Sequence, residues 1–161
     1  MQEALEIINF LEPKNSLDFE TLGITGAIYK RLYSLNNNFD YLDEAIYYYR
    51  RGFIIKNDYY NGENYANCLM FKTLNNKLTG EEIQYLKYES KKVYQEVINI
   101  INLRLSKKEI DKWMYATLSV GYLTLKCNAE HEKYKKLFFN NSVEWEKNSY
   151  LETIEKLKPI I

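Results

Sequence analysis

Glycine and proline are scarce in this chain, with six and two among 161 residues. That scarcity excludes a fold of many short strands and tight turns and favours long helices. Histidine is scarcer still. His131 is the only one, so a Ser-His-Asp or Cys-His site has a single candidate, and it lies in the charged run Glu130-His131-Glu132, where a solvated side chain is expected. The two cysteines, Cys68 and Cys127, form no Cys-x-x-Cys pair and fall on apolar helical stripes. Buried, reduced thiols and a cytoplasmic setting are the expectation. No run of about 18 apolar residues is present. The start Met1-Gln2-Glu3-Ala4 lacks the basic and apolar segments of a secretory leader.

Charge of either sign is not in excess. Lysine plus arginine equals aspartate plus glutamate, 22 each, which argues against nucleic acid or an anionic membrane as partner. No Gly-x4-Gly-Lys loop occurs, and no Glu-x-x-His pair offers a helix-bundle metal site. Catalytic, cofactor-binding and metal-binding residues are therefore expected to be absent. Acidic pairs such as Asp43-Glu44 and Glu81-Glu82 sit at helix starts, where they meet the helix dipole favourably.

What is present is helical period. Leu5, Ile8 and Leu11 form a stripe that Pro13 stops, and Asn15, Ser16 and Asp18 offer N-cap oxygens for the next helix. Phe19, Leu22, Gly26, Tyr29 and Tyr33 then recur at steps of three and four. Asn36-Asn37-Asn38 breaks that pattern, and Asp40 is expected to cap a helix with Leu42, Ala45, Ile46, Tyr49 and Phe53 inward. A fourth helix is expected from about Tyr59 to Leu74. Thr79-x-x-Glu82 and Ser106-x-x-Glu109 read as capping boxes opening a fifth and a sixth. A seventh follows Asn128, and an eighth carries Trp145, Leu151, Ile154 and Leu157 before Pro159. Short connections imply antiparallel neighbours.

Tetratricopeptide repeats place a glycine three residues before an aromatic, then an alanine four before another. Small residues let two antiparallel helices approach, and the aromatics fill the space beside them. Gly26-x-x-Tyr29 and Ala45-x-x-x-Tyr49 supply both halves, and Gly52 follows at the next crossing. Between Gly26 and Ala45 lie more residues than a standard repeat uses, which calls for longer helices or an extended asparagine turn. A looser copy starts at Trp113, and the copy around Asn64 to Met70 is weaker. The fold expected is all-α: antiparallel helix pairs stacked as a short right-handed solenoid, about eight helices with a terminal capping helix, one domain over residues 1–161.

The segment from Glu20 to Met70, and within it GAIYKR with DYYNGEN, resembles the TRAFs-binding domain family. That family is a divergent tetratricopeptide domain of apoptosis-signal-regulating kinases and of many bacterial proteins. The segment DKWMYATLSVGYLTL with the Trp145 helix is similar to the end of the same domain. The resemblance implies a regulatory scaffold without catalysis, in bacterial stress or defence signalling. Its partner would be another protein or peptide, a co-encoded effector among the candidates.

A solenoid of this kind binds along the concave face made by the first helix of each pair. Taking the register from Gly26, the groove residues expected are Lys30 and Arg31 from the first pair, Asn61, Asn64 and Lys72 from the second, and Met114 and Tyr122 from the third. Their lysine, arginine and asparagine groups suit a carboxylate or an acidic peptide. A rival surface is the set Tyr47, Tyr48, Tyr59, Tyr60, Tyr85 and Tyr88, which would serve a homo-oligomer. Alternatives from other classes are a structural oligomeric subunit, a small helical enzyme and a nucleic-acid-binding accessory protein.

Overall fold

A computed structural model describes residues 2–161. Met1, part of the leader reading above, lies outside them. Eight helices and no strand occur among the described residues: α1 (Gln2–Asn9), α2 (Phe19–Asn36), α3 (Phe39–Lys56), α4 (Tyr59–Lys72), α5 (Gly80–Ser106), α6 (Lys112–Thr124), α7 (Asn128–Asn140) and α8 (Glu144–Leu157). The closest packing is α2 on α3, α4 on α5 and α6 on α7, with α3 and α5 joining consecutive pairs. This is the expected stack of antiparallel helix pairs.

The first pair explains the long spacing between Gly26 and Ala45. Both helices have 18 residues, and only Asn37 and Asn38 separate them. Asn37 takes the left-handed conformation (φ 51°), and its N–H closes on the Tyr33 carbonyl. Asn38, not Asp40, is the cap: its Oδ1 accepts from the Asp40 N–H at 2.9 Å. Asn57 (φ 52°) and Asp58 repeat the device between α3 and α4. Two-residue turns built on a left-handed asparagine leave no room for the pairs to splay.

Close approach is bought at the helix crossings by glycine. A Cβ on Gly26 would lie 2.9 Å from the Tyr49 ring, and one on Gly62 would lie 2.4 Å from Val97 Cγ2. Gly121 stands equally close to Tyr94 of α5, at 2.9 Å. In the second pair Ser90 replaces alanine, and its hydroxyl donates to the Ala66 carbonyl at 2.9 Å. Around these crossings Leu42, Ala45, Tyr49, Ala66, Tyr94 and Val97 are buried in one continuous core.

Several local expectations need correction. The Thr79–Glu82 capping box forms, but Ser106–Glu109 does not. Ser106 is the last residue of α5 and donates to Leu103 O at 2.8 Å. Lys108 turns left-handed (φ 62°) to end the helix, and Asp111 caps α6 instead. His131 is buried rather than solvated, at 7% exposure. At 100° per residue, Glu130 and Glu132 point outward while His131 points in. Its Nδ1 lies 3.0 Å from Ser119 Oγ, which lies 2.8 Å from the Tyr150 hydroxyl, tying α6, α7 and α8 together. Cys68 is buried, whereas Cys127 is half-buried. Trp145 and Leu151 are exposed, and Glu146 and Tyr150 join Ile154 and Leu157 on the inward face of α8.

Candidate functional site

The inner helices of the three pairs, α2, α4 and α6, face a common groove with α8 across it. Its deepest part is a cavity of about 400 Å³ bounded by Lys30, by Tyr59, Tyr60, Glu63, Asn64 and Asn67 of α4, by Trp113, Ala116, Thr117 and Val120 of α6, and by Ser149, Tyr150 and Thr153 of α8. A shallower continuation of about 220 Å³ shares Lys30, Tyr60, Asn64, Ser149 and Thr153, and adds Ala27, Arg31 and Ser34 from α2 and Glu152 and Lys156 from α8.

Apart from Tyr59 and Tyr150, which flank the stripes, these residues obey one rule. In α2 the groove positions are 27, 30, 31 and 34; in α4 they are 60, 63, 64 and 67; in α6 they are 113, 116, 117 and 120. Each set has the same internal spacing, one inward stripe of an α-helix. In α8, positions 149, 152, 153 and 156 keep that spacing too. α8 therefore presents itself to the groove as the first helix of a fourth pair would.

The rule shows where the sequence register held and where it slipped. Lys30, Arg31 and Asn64 meet in the groove, and Lys30 Nζ donates to Asn64 Oδ1 at 2.6 Å. The remaining expected residues lie elsewhere. Asn61 and Met114 are one position past Tyr60 and Trp113, and Lys72 is one past Phe71, which also lines the groove, a rotation of about 100° each. Tyr122 is two past Val120. Asn61 is 1% exposed and plugs the crossing of α2, α3 and α4. Its Nδ2 donates to Asp58 Oδ2 at 2.8 Å and to Phe19 O at 3.3 Å, and a Cβ on Gly52 would meet its amide carbon at 2.8 Å. Lys72 turns away to pair with Asp43 of α3. Met114 is fully buried in the core. Tyr122 stacks on Tyr134 of α7 at 5.6 Å between ring centroids.

Glu63, Asn67, Trp113 and Thr117 were missed. Glu63 sits at the groove floor and keeps part of its surface open to it. Burial raises its pKa above the ordinary carboxylate value, opposed by a hydrogen bond from Thr117 and the field of Lys30. Thr117 Oγ1 donates to Glu63 Oε2 at 2.6 Å. Beside it, the Tyr59 hydroxyl donates to Asp111, and burial with that contact pushes the phenol pKa up. Asn67 Oδ1 accepts from the buried Tyr94 hydroxyl, which fixes the amide with its nitrogen free of protein partners among the described residues.

The rival tyrosine surface does not assemble as one patch. Tyr48 is buried against Tyr29, Tyr59 and Tyr60 belong to the groove, and Tyr85 lies beside Lys72 and Leu86. Among the described residues no cluster of His, Cys, Asp and Glu could hold a metal ion, and no helix is long and apolar enough to cross a membrane.

Helix pairs crossing at small residues, stacked so that their first helices share a concave face, define a tetratricopeptide-type domain. The family model described as Tetratricopeptide Repeats-Sensor matches residues 1–69, which run from α1 into α4. No curated protein and no solved structure matches the chain. Domains of the tetratricopeptide type generally mediate protein–protein interaction.

Proposed function

We propose that the chain is a non-catalytic interaction module, acting as one unit over residues 1–161, whose groove receives an extended segment of a partner protein. One observation carries this reading. Four helices turn the same stripe toward one groove, and the stripe holds hydrogen-bonding groups, Lys30, Arg31, Glu63 and Asn67, that the fold itself does not saturate. A merely structural groove would close on apolar side chains. At the α2 end of the groove Lys30 and Arg31, with Lys156 of α8, outnumber Glu152 and leave a positive character suited to a carboxylate of the partner.

The resemblance to the TRAFs-binding domain family supports a regulatory scaffold, and the matching model's description as a sensor supports a place in signalling. A bacterial stress or defence system with a co-encoded effector fits both. Two unpaired thiols suit the cytoplasm. The test is position-specific photocrosslinking: a crosslinker at Thr153 in the groove captures the partner, and one at Tyr88, exposed on α5, does not.

A further inference from the structure

Glu63 is where the groove departs from a simple basic cleft. Its Oε2 is held by Thr117, but Oε1 has no hydrogen-bond partner among the described residues. Lys30 is the charge whose field reaches it, yet the Lys30 ammonium is engaged by Asn64 and forms no ion pair with the carboxylate. Tyr59, Tyr60 and Trp113 line the same cavity, and aromatic faces attract a cation brought among them. A half-paired carboxylate among aromatic walls repels an anion. It is left worse desolvated by an apolar group and is completed by a cationic donor.

We propose that this pit takes the guanidinium or ammonium head of an arginine or lysine side chain presented by the partner. The proposal rests on the groove being the partner site, and it adds polarity to that site. A basic residue of the ligand enters beside Glu63, while the ligand's carboxylate lies toward Lys30 and Arg31. The cavity of about 400 Å³ falls in the range of small-ligand pockets, roughly 300–1,000 Å³, so the head group and stem enter without moving a helix.

The test uses the full chain and four tripeptide amides: acetyl-Gly-Arg-Gly, acetyl-Gly-Lys-Gly, the norleucine isostere and the glutamate version. Binding is followed by tryptophan fluorescence in a Trp145→Phe background, which leaves Trp113 as reporter. The arginine and lysine peptides should give saturable responses at least about tenfold tighter than norleucine, equivalent to 1.4 kcal/mol, and weakened by salt. Glu63→Gln should remove that preference while the far-ultraviolet circular dichroism spectrum stays unchanged. Three results would overturn the proposal: an equal response to norleucine, tighter binding of the glutamate peptide, or no saturable response up to the solubility limit. Loss of the basic-peptide response with Thr153 crosslinking intact would remove this inference and leave the groove reading standing.

Discussion

Gly62→Ala is the sharpest structural perturbation available, because two opposing terms meet at one atom. Gly62 lies inside α4, where alanine gains about 1 kcal/mol of helix propensity over glycine. Against this, the new Cβ would stand 2.4 Å from Val97 Cγ2 and 2.8 Å from Phe53 Cε2, far inside the roughly 3.5–4.0 Å of a relaxed carbon contact. Val97 is fully buried and Phe53 is 5% exposed. They belong to α5 and α3, so relief requires two helices to move apart. Overpacking of this kind costs roughly 1–3 kcal/mol, and with two neighbours both inside contact distance the upper part of that range applies. The expected net loss is about 1–2 kcal/mol, a fall in melting temperature of several degrees for a domain of this length. Urea unfolding followed by circular dichroism measures it. Val97→Ala, itself costing roughly 2–3 kcal/mol through lost burial and a cavity, removes one of the two obstructions. The double variant should then be less destabilised than the sum by about 1 kcal/mol, with the Phe53 contact left in place. A stabilising Gly62→Ala, or additivity within the roughly 0.3–0.5 kcal/mol of independent sites, would refute the close-crossing account.

Thiol titration of the native protein should find one fast cysteine and one slow. Cys68 is fully buried, and desolvation pushes its pKa up to about 12, whereas Cys127 is half-buried; two equally fast thiols would place Cys68 wrongly. Glu63→Gln should alter the pH dependence of stability. Burial raises the folded-state pKa of Glu63 above its unfolded value near about 4.3. Its contribution is therefore most favourable below that value and declines as pH rises through the folded pKa. The variant should gain on the natural protein as pH rises above that unfolded value, and parallel stability curves would show that the carboxylate is not desolvated.

Much of the fold was legible because its local rules agree with one another. Gly26, Tyr29, Ala45 and Tyr49 announced the first pair, Asp18 and the Thr79–Glu82 box announced two helix starts, and all eight helices followed from period. The second pair was harder to see. Its small residues are Gly62, Ala66 and Ser90, and a serine whose hydroxyl satisfies the facing carbonyl does the work of alanine without matching the signature. That difficulty passed into the site. With no firm anchor in α4 or α6, Asn61, Lys72, Met114 and Tyr122 were placed one or two residues out of phase, enough to turn a groove residue into a core residue or a surface pair. Lys30, Arg31 and Asn64 fell in the groove because Gly26 fixed the phase of α2 and the step from α2 to α4 is near the roughly 34 residues of a tetratricopeptide repeat: 33 positions separate Ala27 from Tyr60. Glu63 carried a signal too. It shares the spacing of positions 27, 30, 31 and 34 carried forward one period. His131 was misjudged for another reason: charged neighbours in sequence lie on a different face of a helix.

The central claim is that the face shared by α2, α4, α6 and α8 holds the partner, and crosslinking from within the cell tests it most directly. A photoreactive residue at Thr153 should yield one adduct of discrete mass. That adduct should disappear when Lys30→Met and Arg31→Glu are introduced into the same chain, with the melting temperature retained. A photoreactive residue at Tyr88 should yield none. Equal adducts from both positions, or an adduct at Thr153 indifferent to Lys30 and Arg31, would contradict the account.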